Sequence, residues 1–264
     1  LPSPLPARGE RGQEKMVMAQ WVDGRVVERI DWTGRLHSLR IEADIEPFRA
    51  GQFTKLGLDI DGEIVGRPYS IVSAPDDPVL EFYFSTVPEG PLSPRLSVLK
   101  AGDSIRVAPK PNGFLVLDEV PPAIHLWLLS TGTGLGPFLS ILNTPEPWQR
   151  FQRVVLVHAV RTADELAYRR TIARIAEAEP KRFAYIPFLS REAADYALAG
   201  RIPQAIGDGR LEGRAGLSLD AALAHVMLCG NPAMVADATA ALAARGFRKH
   251  KRKEPGQISM ETYW

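Results

Sequence analysis

The segment Thr131-Gly132-Thr133-Gly134-Leu135-Gly136-Pro137 sets glycines and hydroxyls between two apolar runs, at 124–130 and 138–142. At a strand-to-helix turn, glycine lets backbone N–H groups approach phosphate oxygens, and the N-terminus of the following helix favours negative charge. Pro137 suits the first turn of such a helix. The spacing is not G-x-G-x-x-G, so the strand–turn–helix context carries the phosphate-binding expectation. The plain alternative is a tight turn that needs glycine for steric reasons.

A second group stands at the ends of the next two apolar runs. Arg161 follows 154–160, Ser190 and Arg191 follow 183–189, and Arg201 comes ten residues later. A fold of this kind that binds NAD places an acidic residue near the end of its second strand, on the ribose 2′-hydroxyl. Guanidinium groups there suit a 2′-phosphate instead, through bidentate, charge-assisted hydrogen bonds. NADPH is therefore expected over NADH, and the alternative is three solvated surface arginines.

Four further groups could touch a ligand. Arg67-Pro68-Tyr69-Ser70 puts a cation, an aromatic ring and a hydroxyl on one short segment, and the loop Val87-Pro88-Glu89-Gly90-Pro91-Leu92-Ser93 can offer backbone donors to a second nucleotide. Cys229-Gly230-Asn231-Pro232 ends an apolar run, where a glycine would let a flat ring approach the backbone; a lone cysteine there is as readily inert packing. The chain ends Met260-Glu261-Thr262-Tyr263-Trp264, and two terminal aromatic rings need a surface to cover.

These groups need two kinds of scaffold. Up to about residue 117 the apolar residues alternate: Leu39, Ile41 and Ala43 with Arg40, Glu42 and Asp44; Leu80, Phe82 and Phe84 with Glu81, Tyr83 and Ser85; Ile105 and Val107 with Arg106 and Ala108. Alternation places one face in a core and the other toward solvent, and many short strands argue for an antiparallel barrel or sandwich. From about residue 118, continuous apolar runs at 124–130, 154–160, 183–189 and 226–229 alternate with helical patterns, which implies a parallel, Rossmann-like sheet. Thr162 and Glu165 are spaced as a capping box before a stripe of Leu166, Ile172, Ile175 and Ala176. Asn231 and Pro232 form a second helix start, which Gly246 ends. The expected organisation is a leader at 1–17, a barrel at 18–118 and an α/β domain at 119–264 that carries the aromatic tail, with Pro121 and Pro122 in the linker.

Composition excludes several classes. The 264 residues are 45% hydrophobic and 24% charged, with a formal net charge of +1, so bulk charge favours no polyanionic partner. The single cysteine rules out a disulfide framework and a four-ligand iron–sulfur cluster, and it fits a reducing, cytoplasmic compartment. Any redox centre must then be an organic cofactor. No metal site is expected, and no apolar run reaches the length of a membrane span. The first 15 residues, rich in Pro, Arg, Gly and Glu, read as a disordered extension. Arg245, Arg248, Lys249, Lys251, Arg252 and Lys253 form a local basic cluster: a solvated loop, or a docking patch for an acidic partner.

Taken in order, the segments at 67–70, 90–93, 132–137 and 229–232 and the aromatic end resemble the ferredoxin–NADP⁺ reductase family, in its bacterial flavodoxin/ferredoxin branch, over 18–264. The resemblance implies an FAD-binding antiparallel β-barrel followed by an NADP-binding α/β domain. It also implies hydride exchange between NADPH and FAD, and single-electron exchange with ferredoxin or flavodoxin. Arg67 would then meet the FAD pyrophosphate, Tyr69 the isoalloxazine and Ser70 flavin N5. Gly90, Leu92 and Ser93 would cover the FAD phosphates. Gly132, Thr133, Gly134, Gly136 and Pro137 would hold the NADPH pyrophosphate, and Arg161, Arg191 and Arg201 its 2′-phosphate, with Thr131 and Ser190 further cofactor-binding candidates. Cys229 and Gly230 would flank the nicotinamide, with Asn231 a further cofactor-binding candidate. Tyr263 and Trp264 would cover the isoalloxazine and the adenine, in an order the sequence leaves open. Ser70, Cys229 and Glu261 are the candidate catalytic residues, with Ser70 and Glu261 serving a proton at N5. The expected protein is a monomer that binds neither nucleic acid nor membrane. Its rivals are an NADH-using reductase of the same superfamily, a flavin-bound sensor without turnover and a nucleic-acid binder.

Overall fold

The computed structural model describes residues 21–262; the leader at 1–17 and the aromatic pair Tyr263 and Trp264 lie outside the described residues. Alternation in the first half builds six antiparallel strands: β1 (Val22–Asp31), β2 (Leu36–Ala43), β3 (Phe53–Ile60), β4 (Glu63–Ser70), β5 (Leu80–Ser85) and β6 (Ser104–Val107), in the order β4-β3-β6-β1-β2-β5. The ends of this sheet meet. Ile71, just past β4, bridges Phe82 on β5, and Val72 donates its N–H to the Glu81 carbonyl at 2.8 Å. The sheet is thereby curled into a barrel filled by Leu39, Ile41, Leu56, Phe82, Phe84, Ile105 and Val107. Leu92 and Leu96, at the start and end of the short helix α1 (Ser93–Leu96), close the same core.

One expectation fails on β5. Tyr83 alternates with core residues and should face solvent, yet it is only 4% exposed. The outer face of β5 is covered by the second half, whose Tyr168 packs edge-on against Tyr83 at 5.3 Å.

The second half runs β7 (His125–Thr131), α2 (Gly136–Leu142), α3 (Glu146–Arg150), β8 (Arg153–Val160), α4 (Arg169–Ala178), β9 (Phe183–Leu189), β10 (Leu198–Ala199), α5 (Ile202–Gly207), α6 (Arg210–Ala215), β11 (Ala224–Gly230), α7 (Pro232–Ala243) and β12 (Ile258–Thr262). Its six parallel strands are ordered β10-β9-β8-β7-β11-β12. The chain leaves β7 toward β8 and later returns on the other side as β11. A crevice opens beyond the carboxyl ends of strands where the order reverses in this way. Strand β12 was not anticipated: part of the expected tail is a sheet strand, with Glu261 opposite Cys229.

The capping box at Thr162 does not form. Residues Ala163–Glu165 make a 3-10 turn, and the Thr162 hydroxyl engages Asp164 at 2.5 Å. The Glu165 carboxylate accepts the Arg161 N–H at 2.9 Å. Helix α4 starts later, after Tyr168 takes a left-handed turn with φ of 58°. Leu166 therefore packs with Val160 and Leu189, while Ile172 and Ile175 carry the helix's buried stripe. The start of α7 is as expected: the Asn231 side chain accepts the N–H groups of Ala233 and Met234, and Pro232 is the first helical residue.

The two halves share a core. Leu36, Val72, Tyr83, Leu115 and Leu117 from the first half pack with Leu126, Phe138, Leu139 and Ile172 from the second. Fully burying one such side chain contributes about 1.5–3 kcal/mol, so this seam resists relative motion of the halves. Among the described residues no helix is long and apolar enough to cross a membrane.

Candidate functional site

The loops after β7 and β11 meet at the reversal point. Thr131 ends β7, residues Gly132–Leu135 form a 3-10 turn, and α2 begins at Gly136 with Pro137 behind it. A side chain on Gly134 would collide with the Cys229 carbonyl, and one on Gly230 with Thr131 Oγ1. Gly230 also has φ of 132°, which favours glycine. At these two positions the steric reading holds: glycine lets two backbones touch. The Thr131 hydroxyl then accepts the Asn231 N–H at 2.9 Å and ties the loops together.

A residue that motif reading passed over supports this turn from below. His158 on β8 is fully buried, with Nε2 3.1 Å from the Gly132 carbonyl oxygen. Burial pushes its pKa down to about 4, so the ring is neutral near pH 7 and Nε2–H donates. Its Nδ1 has no partner among the described residues. The available signal was a single polar residue inside an apolar run.

Above the two loops lies a cleft of about 580 Å³. It brings together Thr131, Gly132, Thr133, Arg161, Ser190, Arg201, Gly230 and Asn231. Gly134, Gly136 and Pro137 are buried and do not line it. Arg191 does not line it; its N–H donates to the Arg161 carbonyl at 2.9 Å, so it sits just behind Arg161. Among the described residues no carboxylate pairs with the guanidinium of Arg161, Arg191 or Arg201, which leaves these cations available to an anion. The opposite wall belongs to the barrel: Arg35, Leu36 and Ser85, none of them singled out by the sequence. A depression of about 770 Å³ around Trp148, Gln152 and Arg182 holds none of the expected residues.

The barrel's candidate residues reach the same seam. An ideal Cβ on Gly136 would lie 3.9 Å from Ser70 Cβ and 3.3 Å from Val72 Cγ2. The end of β4 therefore abuts the start of α2. Tyr69 is half-buried, edge-on to Phe84 at 5.9 Å, and burial pushes its hydroxyl up to about 12. Arg67 is exposed and donates to the Gly66 carbonyl at 2.8 Å. In the loop around Gly90, Leu92 is buried in the barrel, so only its backbone can meet a ligand. The Ser93 hydroxyl accepts the Val87 N–H at 2.9 Å, so it closes the loop on itself.

Cys229 is fully buried between Ser130 of β7 and Glu261 of β12. Burial alone pushes the Glu261 carboxyl up to about 7, a value suited to giving and taking protons. Its Oε2 faces Gly113, where an ideal Cβ would lie 3.5 Å away, and Gly113 packs on Phe53. Among the described residues no cluster of histidine, cysteine or acidic groups forms a metal site.

The basic cluster divides. Arg245 turns inward, 2.6 Å from the Glu212 carboxylate and bonded to the Ile206 and Leu219 carbonyls. Arg252 binds Glu119 through two bonds of 2.7 and 3.1 Å and covers the Phe114 ring at 4.6 Å. Lys251 pairs with Glu254 at 3.0 Å. Among the described residues Arg248, Lys249 and Lys253 have no carboxylate partner.

A closed barrel joined to a parallel sheet, with a glycine-floored, arginine-rimmed cleft at their seam, defines a two-domain nucleotide-dependent oxidoreductase. Residues 128–240 match the oxidoreductase NAD-binding domain. Over 248 residues, 94% of this chain and all of the relative, the chain is 48% identical to the flavodoxin/ferredoxin–NADP reductase of Escherichia coli (strain K12). It is 39% identical to the reductase of the same name from Buchnera aphidicola subsp. Baizongia pistaciae, over 94% of this chain and all of that one. A solved ferredoxin NADP⁺ reductase from Neisseria gonorrhoeae, with bound FAD and NADP, superposes with a TM-score of 0.87 at 33% identity, covering 93% of this chain and 99% of that one. The chain belongs to the flavodoxin/ferredoxin–NADP reductase family.

Proposed function

We propose that this chain exchanges hydride with NADPH through bound FAD and passes single electrons to ferredoxin or flavodoxin. The closeness of the end of β4 to the start of α2 carries the reading: an ideal Cβ on Gly136 would lie 3.9 Å from Ser70 Cβ, so the barrel's candidate ligand strand ends beside the turn that borders the dinucleotide cleft. The residues present fit two nucleotides: Thr131, Gly132 and Thr133 line one cleft with Arg161 and Arg201, while Arg67 and Tyr69 stand near the end of β4 in the barrel. FAD, when bound, supplies the chemistry that converts a two-electron hydride into single electrons.

The chain's own residues bind, align and protonate. Arg67 meets the FAD pyrophosphate, Tyr69 covers a ring face, and the backbone around Gly90 and Ser93 closes over phosphates. Thr131, Gly132 and Thr133 take the dinucleotide pyrophosphate on backbone donors. Arg161 and Arg201, with Ser190 and with Arg191 behind, take the 2′-phosphate, which selects NADPH. Gly230 lets the nicotinamide lie against the backbone over Cys229. Ser70 orients the proton at flavin N5, and Glu261 holds or releases it. Domains divide near residues 119–123, and the protein works as a cytoplasmic monomer. Arg248, Lys249 and Lys253 form the exposed part of a docking patch for an acidic carrier.

Steady-state assays test this reading. The purified protein should reduce ferricyanide, and then flavodoxin or ferredoxin, with NADPH far better than with NADH. A protein that holds FAD but turns over neither acceptor is a sensor, and the reading fails.

A further inference from the structure

We infer that Arg35, on the hairpin between β1 and β2, is a pyrophosphate ligand for the nicotinamide dinucleotide, reaching from the barrel into a cleft otherwise built by the α/β half. The inference rests on the reading of the glycine turn after β7 as the phosphate site. Arg35 lines the same cleft as Thr131, Gly132 and Thr133.

Its backbone is fixed while its side chain is exposed. The Thr33 hydroxyl accepts the N–H groups of Arg35 and Leu36 at 3.2 and 3.1 Å. The Arg35 carbonyl accepts the Thr86 N–H at 2.8 Å, and Trp32 donates to the Leu36 carbonyl at 2.9 Å. Leu36 is anchored in the shared core of the two halves. A guanidinium on such a tip can reach an anion without first ordering its own loop.

No carboxylate among the described residues holds that guanidinium. The hairpin's own acid, Asp31, is taken by Arg29 at 3.0 Å and His37 at 2.7 Å. Arg35 therefore adds an unneutralised cation to the cleft, against the carboxylates of Glu165 and Asp237. Thr86, which holds the Arg35 carbonyl, directly follows β5, and β5 packs on the Gly132–Leu135 turn. This connection sets Arg35 beside the turn, whereas Arg161 and Arg201 stand at the ends of other strands. A planar guanidinium matches two phosphate oxygens. Phosphates held from both halves would bridge the seam, so that nucleotide binding and domain alignment become one event.

The test uses the FAD-loaded full chain and measures KM for NADPH and NADH in parallel, with flavin absorbance reporting that each variant is folded. Both dinucleotides carry the same pyrophosphate. Arg35→Ala should raise both KM values by a similar factor, roughly three- to tenfold. Arg35→Lys should raise them less and Arg35→Glu more, an order set by charge. A rise for NADPH alone, or no rise for either, overturns the assignment. Thr133→Glu separates this inference from the reading beneath it. If it leaves both KM values unchanged, the turn is not the phosphate site. If it raises both while Arg35→Ala does not, only the role of Arg35 fails.

Discussion

The Tyr168 hydroxyl of the α/β half lies 2.5 Å from the Glu81 carboxylate of the barrel. It completes a directed chain. Trp32 Nε1 donates to Ser38 Oγ at 2.8 Å, Ser38 and Tyr168 share a bond of 2.6 Å, and Tyr168 donates to Glu81. The Tyr168 ring also lies 4.5 Å from Trp32. The network pins the segment that begins at Arg161 onto strands β2 and β5, and so fixes the Arg161 end of the cleft relative to the barrel.

Tyr168→Phe keeps the ring and removes the donor. Burial raises the Glu81 pKa, and the substitution would leave that carboxyl without this partner. Losing a buried bond to a charged group costs about 1–3 kcal/mol, so the variant should unfold at correspondingly lower denaturant concentration. An unchanged midpoint would show that the network carries no net stability.

Glu261 gives a pH dependence of definite sign. Its carboxyl rises from an ordinary 4.5 to about 7 in the folded chain, because the fold favours the neutral form. That contribution is complete below about pH 4.5 and is lost as pH rises through about 7. Glu261→Gln should therefore match the parent chain near pH 4.5 and exceed its Tm at pH 8. Thermal unfolding at the two pH values measures this, and a lower Tm at pH 8 would mean that the ionised carboxylate is the stabilised form.

Cofactor selection should follow the arginines at the rim. Arg161→Ala with Arg191→Ala should raise KM for NADPH by roughly ten- to a hundredfold and leave KM for NADH nearly unchanged. Parallel kinetics with the two nucleotides measure the split. Equal effects on both would remove the 2′-phosphate from these residues.

The basic cluster should separate into two behaviours. Arg245→Ala, which strips Glu212 and two carbonyls of a partner, should lower stability by about 1–2 kcal/mol and leave carrier reduction intact. Reversing Arg248, Lys249 and Lys253 to Glu should leave stability intact, raise KM for the acidic carrier and flatten its salt dependence. Carrier kinetics indifferent to both ionic strength and the reversals would place docking elsewhere.

Local pattern was readable wherever local physics decides. Leu39 and Ile41 alternate with Arg40 and Glu42 because that end of their strand has one buried face, and Asn231 caps α7 through its own side chain. The glycines between β7 and α2 were visible, although Gly134 and Gly230 serve close backbone packing as much as any ligand. What escaped depends on the other half of the molecule. Tyr83 breaks the alternation because Tyr168 covers it. Thr162 does not cap a helix because the chain reaches the barrel before α4 begins. Arg35 belongs to no motif, and only the packing of the barrel on the α/β half brings it to the cleft; His158 escaped within its own half, where the pairing of β8 with β7 sets it under Gly132.

If the barrel and the dinucleotide cleft serve one reaction where the end of β4 abuts the start of α2, NADPH must reduce the flavin. Anaerobic stopped-flow mixing of the yellow, FAD-loaded protein with NADPH tests it most directly. Rapid bleaching of the flavin band is predicted, with a rate that saturates in NADPH and falls in Ser70→Ala. A flavin that stays oxidised while NADPH demonstrably binds would contradict the account.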